Sequence, residues 1–321
     1  MSNIYELIKL TKEDHEIVAF FLNNHYFDGN ILYDKHYYFW LLSNIPKNLA
    51  VGLSLNNKLI GTIFAIPMDF MLKNNHLKIA NIRFLCIHKK LRNLGLSKIL
   101  IKELKKNLQL SNYDDYVHLS DFSPCKFFSE YFIHKKKIKM IPINIKKLKK
   151  IQFIDENEKD FEKIIDNPLR LARKEDIFKI SHYLNCLENS NQLYRYFDPE
   201  SCKRFIISKK NVIYTYIRDD GEQVTDLITF TVFKQKYGDK ILLKTAKLHL
   251  FNNSSMETEE LLICLANKLY YKGIDQITYS DNIFDDTNII NFNIFDTETE
   301  INYFNTQNIF EPNDKLLEYF S

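Results

Sequence analysis

Apolar side chains recur along this chain with two different periods, and the switches between them mark its elements. Over Lys12 to Leu22, Ile17, Val18, Phe20, Phe21 and Leu22 crowd one side behind a Thr11-x-x-Asp14 start that resembles a capping box, which predicts a helix. A second helix is expected over Tyr37 to Leu42. Strand-like runs follow: Leu49 to Leu55, a turn at Asn56-Asn57, Leu59 to Ile66, a polar turn near Asn74-Asn75, and Leu77 to Ile87. After Arg92 the helical period returns, with Leu96, Ile99, Leu100, Ile101 and Leu104 inward and Lys98, Lys102, Lys105 and Lys106 outward.

The same order comes round again. Ile151 to Asn167 is acidic and aperiodic, which marks it as a linker. Beyond it, Leu169 to Leu171 and a helix over Ile177 to Leu187 echo the start of the chain. Val212 to Arg218, an Asp219-Asp220-Gly221 turn, Val224 to Val232, Lys240 to Phe251 and a helix over Glu259 to Tyr271 then repeat the meander and its helix. The expected organisation is an N-terminal half over 1–150, a linker over 151–167 and a C-terminal half over 168–321.

Composition narrows the class without choosing it. The 321 residues allow two cores. Hydrophobic residues at 45%, charged residues at 26% and a mean hydropathy of -0.30 describe a globular protein, and no run approaches the roughly 18 apolar residues needed to span a bilayer. A net charge of +3 argues for neither nucleic acid nor membrane as partner. The run Lys135 to Lys139, with Lys146, Lys147, Lys149 and Lys150, lacks interleaved aromatics and reads as a solvated face, with at most transient contact with anionic membrane. Five scattered cysteines without a C-x-x-C pair suit reduced thiols, a cytoplasmic location and no metal site.

The chemistry concentrates where the third strand runs into its helix. Arg92-x-x-Gly95-x-Ser97 opens that helix, and unpaired N–H groups at the positive end of a helix dipole form a phosphate site that Gly95 lets a ligand approach closely. The string immediately before it, Phe84-Leu85-Cys86-Ile87-His88-Lys89-Lys90-Leu91-Arg92, resembles the signature of the N-myristoyltransferase family. GNAT acetyltransferases share only the looser loop. The resemblance continues through Lys58-Leu59-Ile60-Gly61, Ala65-Ile66-Pro67, Asn23-x-x-Tyr26, Val224-Thr225-Asp226 and the segment Phe292 to Asn305.

That resemblance implies an α/β fold of two tandem GNAT-like halves forming a saddle-shaped mixed sheet flanked by helices. It implies transfer of a myristoyl group from myristoyl-CoA to the N-terminal glycine of a peptide, by a monomer with no permanently bound cofactor. In the family the thioester carbonyl is polarised by two consecutive backbone N–H groups, which fall on Phe84 and Leu85; each donor of such an oxyanion hole contributes about 3 kcal/mol. The donor would be held by Phe84 to Ile87 and by Arg92, Asn93, Leu94, Gly95, Leu96 and Ser97. The family's base is the C-terminal carboxylate, here Ser321. Tyr26, Asp28, Ser120, His134, His249 and Asp296 match the peptide site by position. Arg83 stands where the family usually has Asn, Phe295 and Thr297 replace glycines beside Asp296, and the family's leading, cofactor-covering segment has no counterpart here. Two rival readings follow: a short-chain GNAT acetyltransferase or lysine acylase, and a catalytically silent acyl-CoA or peptide binding module.

Overall fold

The computed structural model describes residues 5–72, 75–113, 115–119, 132–161, 163–164, 166–188, 193–238, 241–281, 283–284, 289, 292 and 294–305. In chain order its elements are β1 (Tyr5–Lys9), α1 (His15–His25), β2 (Ile31–Leu32), α2 (Lys35–Asn44), β3 (Ala50–Leu55), β4 (Lys58–Leu72), β5 (Asn75–Ile87), α3 (Leu96–Leu110), β6 (Asp115–Leu119), β7 (Phe132–Pro142) and α4 (Ile145–Lys150). They continue with β8 (Arg170–Leu171), α5 (Ile177–Glu188), β9 (Leu193–Arg195), α6 (Pro199–Phe205), β10 (Ile213–Asp219), β11 (Val224–Tyr237), β12 (Ile241–Asn253), α7 (Thr258–Tyr271), β13 (Gln276–Ser280) and β14 (Phe295–Asn305). This is a mixed α/β protein, and it divides into two compact units. One comprises Met1–Lys135, Asn191–Tyr196 and Glu300–Phe320, the other Lys136–Ser190 and Phe197–Thr299.

Each unit is built by the same recipe. In the first, β1 pairs antiparallel with β3, β3 with β4 and β4 with β5; α3 then carries the chain back so that β6 lies parallel to β5, and β14 closes antiparallel on β6. In the second, β8, β10, β11 and β12 repeat the antiparallel run, α7 returns the chain, β13 is parallel to β12, and β7 closes on β13. The last strand of each unit is therefore supplied from far along the chain.

Packing explains why these segments fold so. On α3 the period of 3.6 buries Leu96, Leu100, Ile101, Leu104 and Leu108, each burial contributing roughly 1.5–3 kcal/mol. Ile99, expected inward, is partly exposed instead. On α1 the buried stripe is Val18, Ala19, Phe21 and Leu22, whereas Ile17 and Phe20 are 59% and 74% exposed. Steps of 100° put positions 18, 21 and 22 on one face and turn 17 and 20 to the other. In the second unit α7 lays Leu261, Leu262, Leu265 and Leu269 on Phe230, Leu248 and Ile277. The opposite cluster of Ile180, Leu184, Cys202, Ile206, Ile217 and Leu227 gathers α5 and α6.

Candidate functional site

The ladder between β4 and β5 runs in register from Leu72 opposite Asn75 to Phe64 opposite Arg83, then slips. Cys86 faces Thr62, so Phe84 and Leu85 together face Ile63. Phe84 makes the slip by adopting a φ of +57°, a left-handed conformation that costs a bulky residue on the order of 1–3 kcal/mol and persists only where its surroundings enforce it. Here they do. The Thr62 hydroxyl donates to the Phe84 carbonyl at 2.9 Å. The Phe84 ring lies 5.2 Å from Tyr26, 5.5 Å from Phe64, 6.1 Å from Tyr38 and 6.4 Å from both Tyr33 and Tyr37. Asn23 locks that shell: its amide donates to the Tyr33 carbonyl at 2.9 Å, and its oxygen accepts from the Tyr33 N–H at 3.1 Å and the Tyr38 hydroxyl at 3.2 Å. On its other edge β5 is laddered to β6 over Ile79 to Ile82 among the described residues. The slip therefore sets two consecutive residues of β5 opposite one of β4.

The chain then turns through Asn93 at φ +68° and Gly95 at φ +74° into α3. Among the described residues, apart from its chain neighbours, no atom lies within 4 Å of where a Cβ on Gly95 would stand, and Leu94 is 60% exposed. Leu96 is buried against the sheet and Ser97 is half-buried. The described residues leave the space around Gly95 open at the N-terminus of the helix. The Arg92 guanidinium donates to Asp28 Oδ1 at 2.9 Å and to the His25 carbonyl at 2.8 Å, and its Nε reaches the Ile87 carbonyl at 3.4 Å. Lys89 donates to the Asp28 carbonyl at 2.8 Å. These bonds tie the loop after β5 to the segment Tyr26–Gly29, where Phe27, Asp28 and Gly29 all have positive φ.

Two titratable groups sit at this junction. Cys86 is buried, and burial pushes its thiol up to about 12, so it stays protonated and poorly nucleophilic. The His25 ring packs at a tilt on His88, 4.3 Å between centroids. Burial first, then the neighbouring charge of His88, Lys89 and Arg92, holds its pKa below the ordinary imidazole value, and its buried Nδ1 has no partner. Beside them lies a cavity of about 590 Å³ lined by Ile17, Phe21, His25, Leu59, Ile60 and Leu91, among others.

The structure thus gathers Tyr26, Asp28 and Phe84 to Ser97 in the first unit. His249 and Asp296 belong to the second. His249 is the extra residue where β12 slips past β11, and it shares a 2.9 Å hydrogen bond with the Thr231 hydroxyl. Asp296 is exposed and 3.6 Å from Lys137. Ser120, the His134 side chain and Ser321 lie outside the described residues. Reading the sequence missed the tyrosine shell and the His25 to His88 contact. The first was written as Tyr33, Tyr37 and Tyr38 around an expected helix; the second joins residues 63 positions apart and leaves no local pattern.

Known proteins resemble this arrangement. Residues 3–119 match the family described as Myristoyl-CoA:protein N-myristoyltransferase, N-terminal domain. A protein of Acanthamoeba polyphaga mimivirus named for glycylpeptide N-tetradecanoyltransferase is 33% identical over 305 residues, 92% of this chain and 83% of its own. The Plasmodium falciparum glycylpeptide N-tetradecanoyltransferase is 29% identical over 302 residues, 85% and 72% respectively. In fold, the chain matches a crystal structure of Saccharomyces cerevisiae N-myristoyltransferase with bound myristoyl-CoA at a TM-score of 0.76 and 20% identity, covering 95% of this chain and 79% of that one. A GCN5-related N-acetyltransferase from Anabaena variabilis matches at a TM-score of 0.55 and 12% identity, covering 94% and 72%.

Proposed function

The chain belongs to the N-myristoyltransferase family and is an acyltransferase, and from that premise we propose that it moves a myristoyl group from myristoyl-CoA to an N-terminal glycine, with the bulge in β5 as its reaction centre. The observation that carries this reading is the left-handed Phe84 and the register slip that accompanies it, which set Phe84 and Leu85 together against Ile63 and break the regular alternation of their N–H groups. Attack by an amine builds negative charge on the thioester oxygen, and two fixed N–H groups aimed at that oxygen lower the barrier because they need no reorganisation. The open loop through Gly95 supplies N–H groups for the donor's pyrophosphate, and the cavity beside His88 offers apolar volume for its chain. Tyr26 and the other tyrosines around Phe84 wall the approach of the acceptor.

Transfer is direct in this proposal: the C–N bond forms as the C–S bond breaks, and CoA leaves as its thiol. Cys86 takes no part, since its thiol does not ionise near neutrality. Ser321, the sequence's candidate base, lies outside the described residues, and no step is assigned to it.

The test incubates the full chain with myristoyl-CoA or acetyl-CoA and a peptide beginning with glycine, with alanine-initiated and N-acetylated peptides as controls, and reads products by mass spectrometry. Myristoyl transfer confined to the free glycine peptide is the expected result. Acetyl transfer alone, or binding of myristoyl-CoA without turnover, would replace this reading with one of the two rivals.

A further inference from the structure

One side of α1 faces a cavity. Ile17, Phe20, Phe21 and His25 fall along that side at helical spacing, and they wall the cavity of about 590 Å³ beside His88. The turn between β3 and β4 supplies a second wall through Leu55, Lys58, Leu59 and Ile60, and the segment after β5 supplies a third through His88, Lys90 and Leu91. At about 30 Å³ for a group the size of a water molecule, this volume takes a chain on the order of fifteen to twenty carbons. Ile17 and Phe20 are large apolar side chains left mostly exposed, and a chain seated beside them would remove their surface from water.

The lining is of two kinds. Asn56 and Asn57 aside, every residue of it is either apolar or basic, the basic ones being His25, Lys58, His88 and Lys90. Among the neighbouring charges, Glu16 of α1 pairs with Lys35 at 2.6 Å and Asp28 of the next segment with Arg92 at 2.9 Å, while Lys89 donates to the Asp28 carbonyl. His25 registers the sum: burial, then the positive charge of His88, Lys89 and Arg92, holds it toward its neutral form. A carboxylate in the cavity would oppose that charge. A long apolar pit ringed by cations fits an amphiphile with an anionic head, and a pit sized for one chain suits a single molecule rather than a membrane surface.

We propose that this cavity binds a free long-chain fatty acid, with its tail among the apolar residues of α1 and β4 and its carboxylate among His25, Lys58, His88 and Lys90, and that the bound acid shuts out the chain of the acyl donor. The exclusion rests on the placement of the donor's chain in this cavity under the proposed function; the binding does not. A fatty acid is what hydrolysis of an acyl thioester releases, so the site would let that by-product slow the transferase. The head stays ionised from pH 8 to pH 6. A bound carboxylate raises the depressed pKa of His25, so binding takes up protons and strengthens as pH falls through that window.

The experiment measures binding of radiolabelled myristate to the full chain by equilibrium dialysis at pH 6, 7 and 8, with 1-tetradecanol as the neutral-headed control. Myristate should saturate one site, tetradecanol should bind about tenfold more weakly because it forgoes several partly exposed ion contacts, and myristate alone should gain affinity toward pH 6. Phe20→Asp sets a carboxylate on the exposed side of α1 and should weaken myristate binding about tenfold, with an unfolding temperature close to that of the wild type. In steady-state kinetics with a glycine-initiated peptide, myristate should raise the KM for myristoyl-CoA and leave kcat unchanged. Failure of myristate to saturate, equal binding of tetradecanol, or indifference to Phe20→Asp in a folded variant overturns the fatty-acid site and leaves the proposed function standing. Saturable myristate binding with an unchanged KM overturns the exclusion and, with it, the place given to the donor's chain. A wild type that binds myristate but does not turn over myristoyl-CoA overturns the proposed function and not the site.

Discussion

Cys86 lies inside the signature string, where a nucleophilic cysteine would attract attention, and the physics at that one position argues against it. Burial above all drives its thiol up to about 12, and among the described residues its sulfur addresses the Ile87 carbonyl at 3.9 Å. Cys86→Ala should therefore retain turnover within about threefold, with the cost appearing as roughly 1–2 kcal/mol of lost packing; a collapse of kcat with intact acyl-CoA binding would reinstate a covalent acyl-enzyme. The same reasoning orders the thiols by reactivity. Cys186 is exposed while Cys86, Cys202 and Cys264 are buried, so brief treatment of the native protein with iodoacetamide should label Cys186 ahead of those three, as peptide mapping would show.

Among elements, the contact between α3 and the sheet depends on what β4 omits. A Cβ at Gly61 would stand 2.8 Å from Ile87 Cδ1 and 3.1 Å from Leu100 Cδ1, so the glycine lets the helix that bears the open loop lie close on the strand opposite the bulge. Gly61→Val should cost about 1–3 kcal/mol, seen as a lower unfolding temperature with weaker myristoyl-CoA binding; an unchanged Tm would mean that α3 can shift outward freely. Much of this level was legible in the sequence, because α3, α5 and α7 keep a helical period and β3, β4, β5, β10, β11 and β12 are apolar runs bounded by turn residues. β13 escaped notice because QITYS is five residues long and buried on both faces, so it has no alternation to read. β7 was hidden by Lys135-Lys136-Lys137, and the short α4 by its lysines, of which Lys147 pairs with the buried Asp275 at 2.5 Å. The bulge at Phe84 was not legible, since no local propensity asks Phe to adopt a positive φ; the family resemblance pointed only to the N–H groups of Phe84 and Leu85.

Across the molecule, one topology occurs twice, and the two copies treat the loop before the returning helix differently. In the first unit the loop into α3 is open above Gly95. In the second, the corresponding turn before α7 is already occupied by an anion from the chain itself: Asp226, fully buried, accepts the N–H groups of Ser254, Ser255 and Met256 and the hydroxyls of Ser255 and Thr225. The residues that begin β4, Lys58-Leu59-Ile60-Gly61, carry no carboxylate. An internal carboxylate thus satisfies the donors of this turn in the second unit, whereas under the function proposed above their counterparts in the first hold the phosphates of the acyl donor. Burial pulls the Asp226 pKa upward, but the hydrogen bonds from Ser255, Thr225 and Met256 outweigh it and hold the group below the ordinary carboxylate value. A carboxyl with a depressed folded-state pKa stabilises the protein above its unfolded value of about 3.9 and loses that contribution as pH falls through the folded value. Asp226→Ala should consequently cost about 3 kcal/mol or more at pH 7, because several buried donors lose their acceptor, and the gap from the wild type should narrow in acid. Added formate, small enough to occupy the vacated position, should raise the Tm of the alanine variant more than that of the wild type. A gap that stays constant from neutral pH into acid would show that the carboxylate's charge is not what holds this turn.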